Sequence, residues 1–157
     1  MVVEAAQTWL TGLLARMGMG AAVKVVPQTP DPWLEIDGTD LSPLQVAALL
    51  GEDGATLDAI QHLLNATLAA QFSDNPPAFW VELDGYRARR QAELQTLTQQ
   101  AIAQVRGTGE PYSLENLSAA DRRLVHLWVS EAADLETFST GKEPHRVLVI
   151  QPVSSPS

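Results

Sequence analysis

The chain has 157 residues, 45% apolar and 18% charged, and its 10 Lys and Arg against 19 Asp and Glu give a net charge of -9. That length suits one domain or two small ones with a core needing no staples, and the lack of cysteine excludes disulfides, a thiolate nucleophile and a Cys-based zinc site. The acidic balance argues, on its face, against a nucleic-acid binder, whose affinity rests on Lys and Arg neutralising phosphates.

The N-terminal stretch MVVEAAQTWLTGLLARMG carries Glu4 where a secretory leader wants Lys or Arg, and Arg16 interrupts its apolar part. No run reaches the roughly 18 apolar residues of a membrane span. A cytoplasmic protein without membrane insertion is expected. Trp9, Leu10, Leu13, Leu14 and Met17 recur at helical spacing and predict an amphipathic helix that ends at Gly18 to Gly20. AAVKVVP and WLEIDG read as strands joined by the turn QTPDP, since β-branched residues lie between Pro, Asp and Gly. Ser42, Pro43 and Gln45 have the chemistry of a capping box, so a helix runs through Val46, Leu49 and Leu50 to Gly51. A second helix follows, with Leu57, Ile60, Leu63, Leu64 and Leu68 on one face, and FWVELDG reads as a returning strand.

A breaker, SDNPPAF, precedes a change in charge: residues 1–80 hold nine acids and two bases, residues 81–157 ten acids and eight bases. Two modules follow from this. The second opens with a helix from about Tyr86 to Arg106, which Asp84 can cap, striped by Leu94, Leu97, Ala101, Ile102 and Val105. GTGEPYSLENL is a loop or short strand; Ser118 and Asp121 form another capping box, starting a helix to about Ala132. LETFS and RVLVIQP are strands joined by TGKEPH.

Two constellations carry chemistry. Gly51-Glu52-Asp53-Gly54 lies between two helices, where two glycines let the backbone approach a ligand and the next helix start favours an anion. Taken alone, it is as well explained by a helix–turn–helix corner. Arg122 and His126, four apart, share a helix face with Ser130, and Leu124, Leu127 and Trp128 take the opposite, core-facing arc.

The order helix, strand, strand, helix, Gly-x-x-Gly, helix, strand resembles a type II KH domain, whose loop clamps single-stranded nucleic acid. SLENLSAADRRLVHLWVSEAADLETFSTGKEPHRVLVI resembles an R-3-H domain, named for an Arg and a His with three residues between. The likeness continues through Thr137, Ser139, Gly141, Glu143, Pro144 and Arg146 in the pattern Ser-x-Gly-x-x-Pro-x-Arg. A KH module followed by an R-3-H module resembles the Jag/KhpB family of bacterial RNA-binding proteins. VELDGYRARRQAEL and GATLDAIQHLLN add to the likeness, which covers about residues 2–151. Many members have a further N-terminal domain and linker that these residues do not contain.

The resemblance implies an α+β chain: a KH-like domain at 1–83 (a three-stranded sheet with helices), an R-3-H domain at 84–151 (a small sheet on helices) and a flexible tail at 152–157. It implies single-stranded RNA, or DNA, as ligand, no cofactor, and a small KH-only protein as partner, with a link to cell-envelope or cell-division control. Arg122, Lys142 and Arg146 would hold phosphates with Arg123 beside them, and His126 would stack or hydrogen-bond. Arg87, Arg89 and Arg90 are either a solvated helix face pairing with Glu93 or further phosphate contacts. The family's loop usually has a base between its glycines, where this chain has Glu52 and Asp53. Either the backbone amides suffice there, or the loop has lost RNA and the first module docks a protein.

No enzyme is expected. His62, His126 and His145 form no HExxH or tight ligand set, and no nucleophile elbow supports a triad from Ser118 or Ser139. Trp9, Trp33, Trp80 and Trp128 read as core residues.

Overall fold

The computed structural model describes residues 1–28, 31–72 and 74–154. QTPDP and SDNPPAF each fall partly outside these residues, as does the tail from residue 155. The chain is α+β and divides into two compact units, Met1–Arg87 and Ala88–Ser157.

In the first unit, α1 (Val2–Arg16), β1 (Val23–Val26), β2 (Trp33–Ile36), α2 (Pro43–Leu50), a 3-10 turn (Glu52–Gly54), α3 (Ala55–Gln71) and β3 (Trp80–Leu83) follow one another. β1 pairs antiparallel with β2 and β2 parallel with β3, bringing Leu34 between Val25 and Val81. The strands alternate, so Val23, Leu34, Ile36, Val81 and Leu83 are buried with Ala6, Leu10 and Leu14 of α1 and Leu57, Ile60, Leu64 and Leu68 of α3. The Ser42 capping box forms as its residue types require: Gln45 N–H donates to Ser42 Oγ at 3.2 Å and Ser42 N–H to Gln45 Oε1 at 2.9 Å.

β3 is an edge strand, and side chains pair its outer backbone groups. Asn65 bonds both N–H and C=O of Phe79, Gln61 Oε1 accepts from Val81 N–H at 2.9 Å, and Arg87 Nε donates to Val81 C=O at 2.8 Å. An edge satisfied in this way presents less of a template for another strand.

In the second unit, α4 (Tyr86–Thr108, whose first two residues belong to the first unit) is followed by β4 (Tyr112–Leu114), α5 (Ala119–Ser130), β5 (Leu135–Thr140) and β6 (Val147–Pro152). The sheet is antiparallel in the order β4-β6-β5. Its core joins Leu94, Ala101 and Val105 of α4 with Val125 and Val129 of α5 and Leu114, Leu135, Leu148 and Ile150 of the strands. Ser118 caps α5 as its sequence predicts, accepting from Asp121 N–H at 3.1 Å. The start of α4 is held by Glu82, whose buried carboxylate accepts from Leu83 N–H at 2.8 Å and Arg87 N–H at 3.2 Å. Charge-assisted bonds of this kind satisfy amides that a helix start leaves orphaned.

Several helix faces are narrower than their periodicity predicts. Met17, Leu63, Leu97 and Leu127 are exposed, although each falls on an apolar helical stripe in the sequence. On α5 the core arc is carried by Val125 and Val129, with Leu124 and Trp128 at its margin. Trp80 is also exposed, stacked on Trp33 with ring centroids 6.0 Å apart. Among the described residues, no helix is long and apolar enough to cross a membrane.

Candidate functional site

The helix α5 and the hairpin of β5 and β6 form an open groove of about 800 Å³. Arg122, Arg123, His126 and Ser130 line it from the helix, and Thr137, Ser139 and Arg146 from the hairpin. Arg123, His126 and Arg146 are exposed. Two permanent cations and an imidazole facing one groove, among hydroxyls that donate and accept, suit a phosphodiester chain.

His126 is held in place. Its Nδ1 shares a hydrogen bond with the Thr137 hydroxyl of β5. Such a bond fixes the ring orientation and leaves the other ring nitrogen for a ligand.

Arg122 departs from the expected exposed phosphate ligand. Its side chain is only 8% exposed, because Nη1 donates to Leu117 C=O at 2.6 Å and Nη2 pairs with Glu143 in the β5–β6 turn. A guanidinium stays charged in any environment, so burial requires such partners. Glu143 and Thr137 gain roles that residue-by-residue reading missed, although both stand in the quoted motif. The turn itself is closed by His145 N–H donating to Lys142 C=O at 2.8 Å, with Gly141 at φ +88°. Lys142 is exposed on this turn but does not line the groove.

Arg87 and Arg90 are not a solvated face. Arg87 pairs with Asp58 at 3.0 Å, bonds Gln61 and Val81, and lies 5.5 Å over the Trp80 ring. Arg90 reaches Asp121 at 3.0 Å, and its contact with Glu93 is longer, at 3.5 Å. Both therefore tie elements together inside their own units.

In the first unit, Glu52 and Asp53 of the Gly51–Gly54 turn are exposed, with Asp53 at φ 51°. Gly54 is buried, and a Cβ there would lie 2.5 Å from the Tyr86 hydroxyl. This glycine therefore has a packing reason of its own. Counted by unit, residues 1–87 hold eleven acids and three bases, and residues 88–157 eight acids and seven bases. His62 is exposed on α3. Among the described residues, no three His, Asp or Glu side chains converge to hold a metal ion.

Comparison with known proteins agrees with the second unit's sequence. The family model of the R-3-H domain matches residues 92–152. RNA-binding protein KhpB of Clostridium symbiosum is 34% identical over 104 residues, 65% of this chain and 46% of that protein. Its namesake in Lactiplantibacillus plantarum is 29% identical over 102 residues, 65% of this chain and 31% of that protein. In Bacillus subtilis the identity is 29% over 108 residues, 68% of this chain and 51% of that protein. The chain thus spans between about a third and a half of the length of these relatives. With the motif of α5 and its hairpin, these matches support a Jag/KhpB family assignment for the chain.

Proposed function

We propose that the chain binds single-stranded nucleic acid, RNA foremost, in the groove between α5 and the β5–β6 hairpin. The observation that carries this reading is the convergence of Arg123, His126 and Arg146 on one open groove. The names of the relatives, all RNA-binding proteins, support RNA over DNA. Phosphates sit on the guanidinium groups of Arg123 and Arg146, with Lys142 at the groove's approach, and His126 donates to or stacks against the strand. The reading calls for no catalytic step and no cofactor, and it places the protein in the cytoplasm, where RNA is. The test is fluorescence anisotropy of a labelled single-stranded RNA at low salt with the full chain. Arg123→Ala with Arg146→Ala should weaken binding at least tenfold, two lost contacts being worth about 1–3 kcal/mol each. Unchanged affinity would remove the groove from consideration.

The exposed carboxylates of the Gly51–Gly54 turn favour a second role for the first unit. Read as a KH-like domain, it docks a protein partner, such as a small KH-only protein, because Glu52 and Asp53 repel a phosphate backbone. Replacing Glu52 by Gly and Asp53 by Lys separates the readings. A gain in RNA affinity fits a loop whose acids keep RNA away and leave it to a partner, whereas no change removes that repulsion as the ground for a docking role.

A further inference from the structure

We infer that Arg122, the first residue of the Arg-x-x-x-His pair, is a positioning residue that sets the groove's width through Glu143 and touches no phosphate. This rests on the RNA-binding reading of the groove. Three observations carry it. The Arg122 side chain is 8% exposed, against 61% for Glu143, so the cation is the enclosed partner and the acid reaches in from the turn. The guanidinium spans two elements beyond its own helix: Nη1 holds Leu117 C=O just before the α5 cap, and Nη2 holds Glu143. The turn so anchored is short and closed by His145 N–H on Lys142 C=O, and Arg146 leaves it directly into the groove. Arg123 and His126 stand on α5, so the Arg122–Glu143 pair determines how far Arg146 lies from them. A phosphate ligand at Arg122 would have to displace Glu143 and open a buried site, whereas Arg123 and Arg146 are already exposed.

The two possible roles predict opposite signs for one variant. Glu143→Gln removes a negative charge beside the groove. If Arg122 were a phosphate ligand blocked by Glu143, that change would tighten RNA binding. If the pair positions the hairpin, the change loosens binding despite the more favourable charge. We expect Glu143→Gln and Arg122→Gln each to weaken binding of a labelled oligouridine to the full chain by at least about fivefold, with the double variant no weaker than the worse single. Glu136→Gln, which removes the same charge from β5, should not weaken it. Tighter or unchanged binding by Glu143→Gln would overturn the inference.

Should Arg122→Gln fail to fold, the side-chain Nε–H signals of wild-type protein decide: on titration with oligouridine those of Arg123 and Arg146 should shift and that of Arg122 stay. A shift at Arg122 as large as theirs would overturn the inference. An RNA-free arm keeps this test separate from the groove's function. Hydrogen exchange at His145 N–H should accelerate in Glu143→Gln but not in Glu136→Gln. Unchanged exchange in Glu143→Gln would refute the positioning role even if RNA affinity had moved. Absence of RNA binding by the wild type would sink the functional reading, while the exchange result would still decide what the pair does.

Discussion

Gly54 shows how one residue can carry two explanations that a substitution separates. In a Gly-x-x-Gly loop its lack of a side chain reads as room for a ligand's backbone. In the fold the same space is filled by the Tyr86 ring, and the backbone there has φ +78°. Gly54→Ala should therefore cost about 2–4 kcal/mol, from the left-handed conformation together with overpacking against Tyr86. Gly18→Ala is the control: φ is +75° but nothing lies within 4 Å of the added carbon, so only the conformational part, about 1–2 kcal/mol, applies. Urea unfolding of both variants checks the difference, and equal losses would mean that Tyr86 yields. Arg122 makes the complementary point. Its charge and its place in the motif were legible in the sequence, but its burial was not, because its partner Glu143 lies 21 residues away.

At the level of elements, what the sequence revealed was mostly local. Both capping boxes were readable because Ser and its partner stand three residues apart and bond within one turn. Strand alternation in VKVV and WLEI likewise depends on neighbours alone. Helix faces are narrower than periodicity implies at Leu63, Leu97 and Leu127, because periodicity marks the side of a helix but not how far its neighbours extend over it. The links between elements were out of reach for the same reason: Asn65, Gln61 and Arg87 cover β3 from 14, 20 and 6 residues away.

The link after β2 carries a pH prediction. The hydroxyl and amide of Thr39 and the ammonium of Lys24 hold the Asp37 carboxyl down at about 2 from its ordinary 3.8. A carboxyl depressed on folding contributes stability that is complete above pH 3.8 and disappears as pH falls through about 2. Wild type should thus be more stable than Asp37→Asn at pH 5, with the gap closing between pH 4 and pH 2. Urea midpoints of the two proteins across that interval measure it, and a constant gap would refute the assignment.

Across the whole molecule, the net charge of -9 is distributed so unevenly that it ceases to speak against RNA. The first unit carries a net of -8 and the second only -1, and the second holds the groove. Of its seven bases, Arg90, Arg106 and Arg122 are engaged by Asp121, Asp134 and Glu143. Two arginines, Arg123 and Arg146, stand exposed in the groove itself. Binding should accordingly be modest and only moderately sensitive to salt. For a single strand, each neutralised phosphate contributes about -0.7 to the slope of log affinity against log salt, so two arginines give a slope of about -1.4. Titrations of oligouridine between 50 and 300 mM salt, about one decade in affinity at that slope, measure it directly. A slope steeper than about -3 would require phosphate contacts beyond the groove. The exposed Lys142 turn would then be the first place to look, since the acidic Gly51–Gly54 loop has no base to offer.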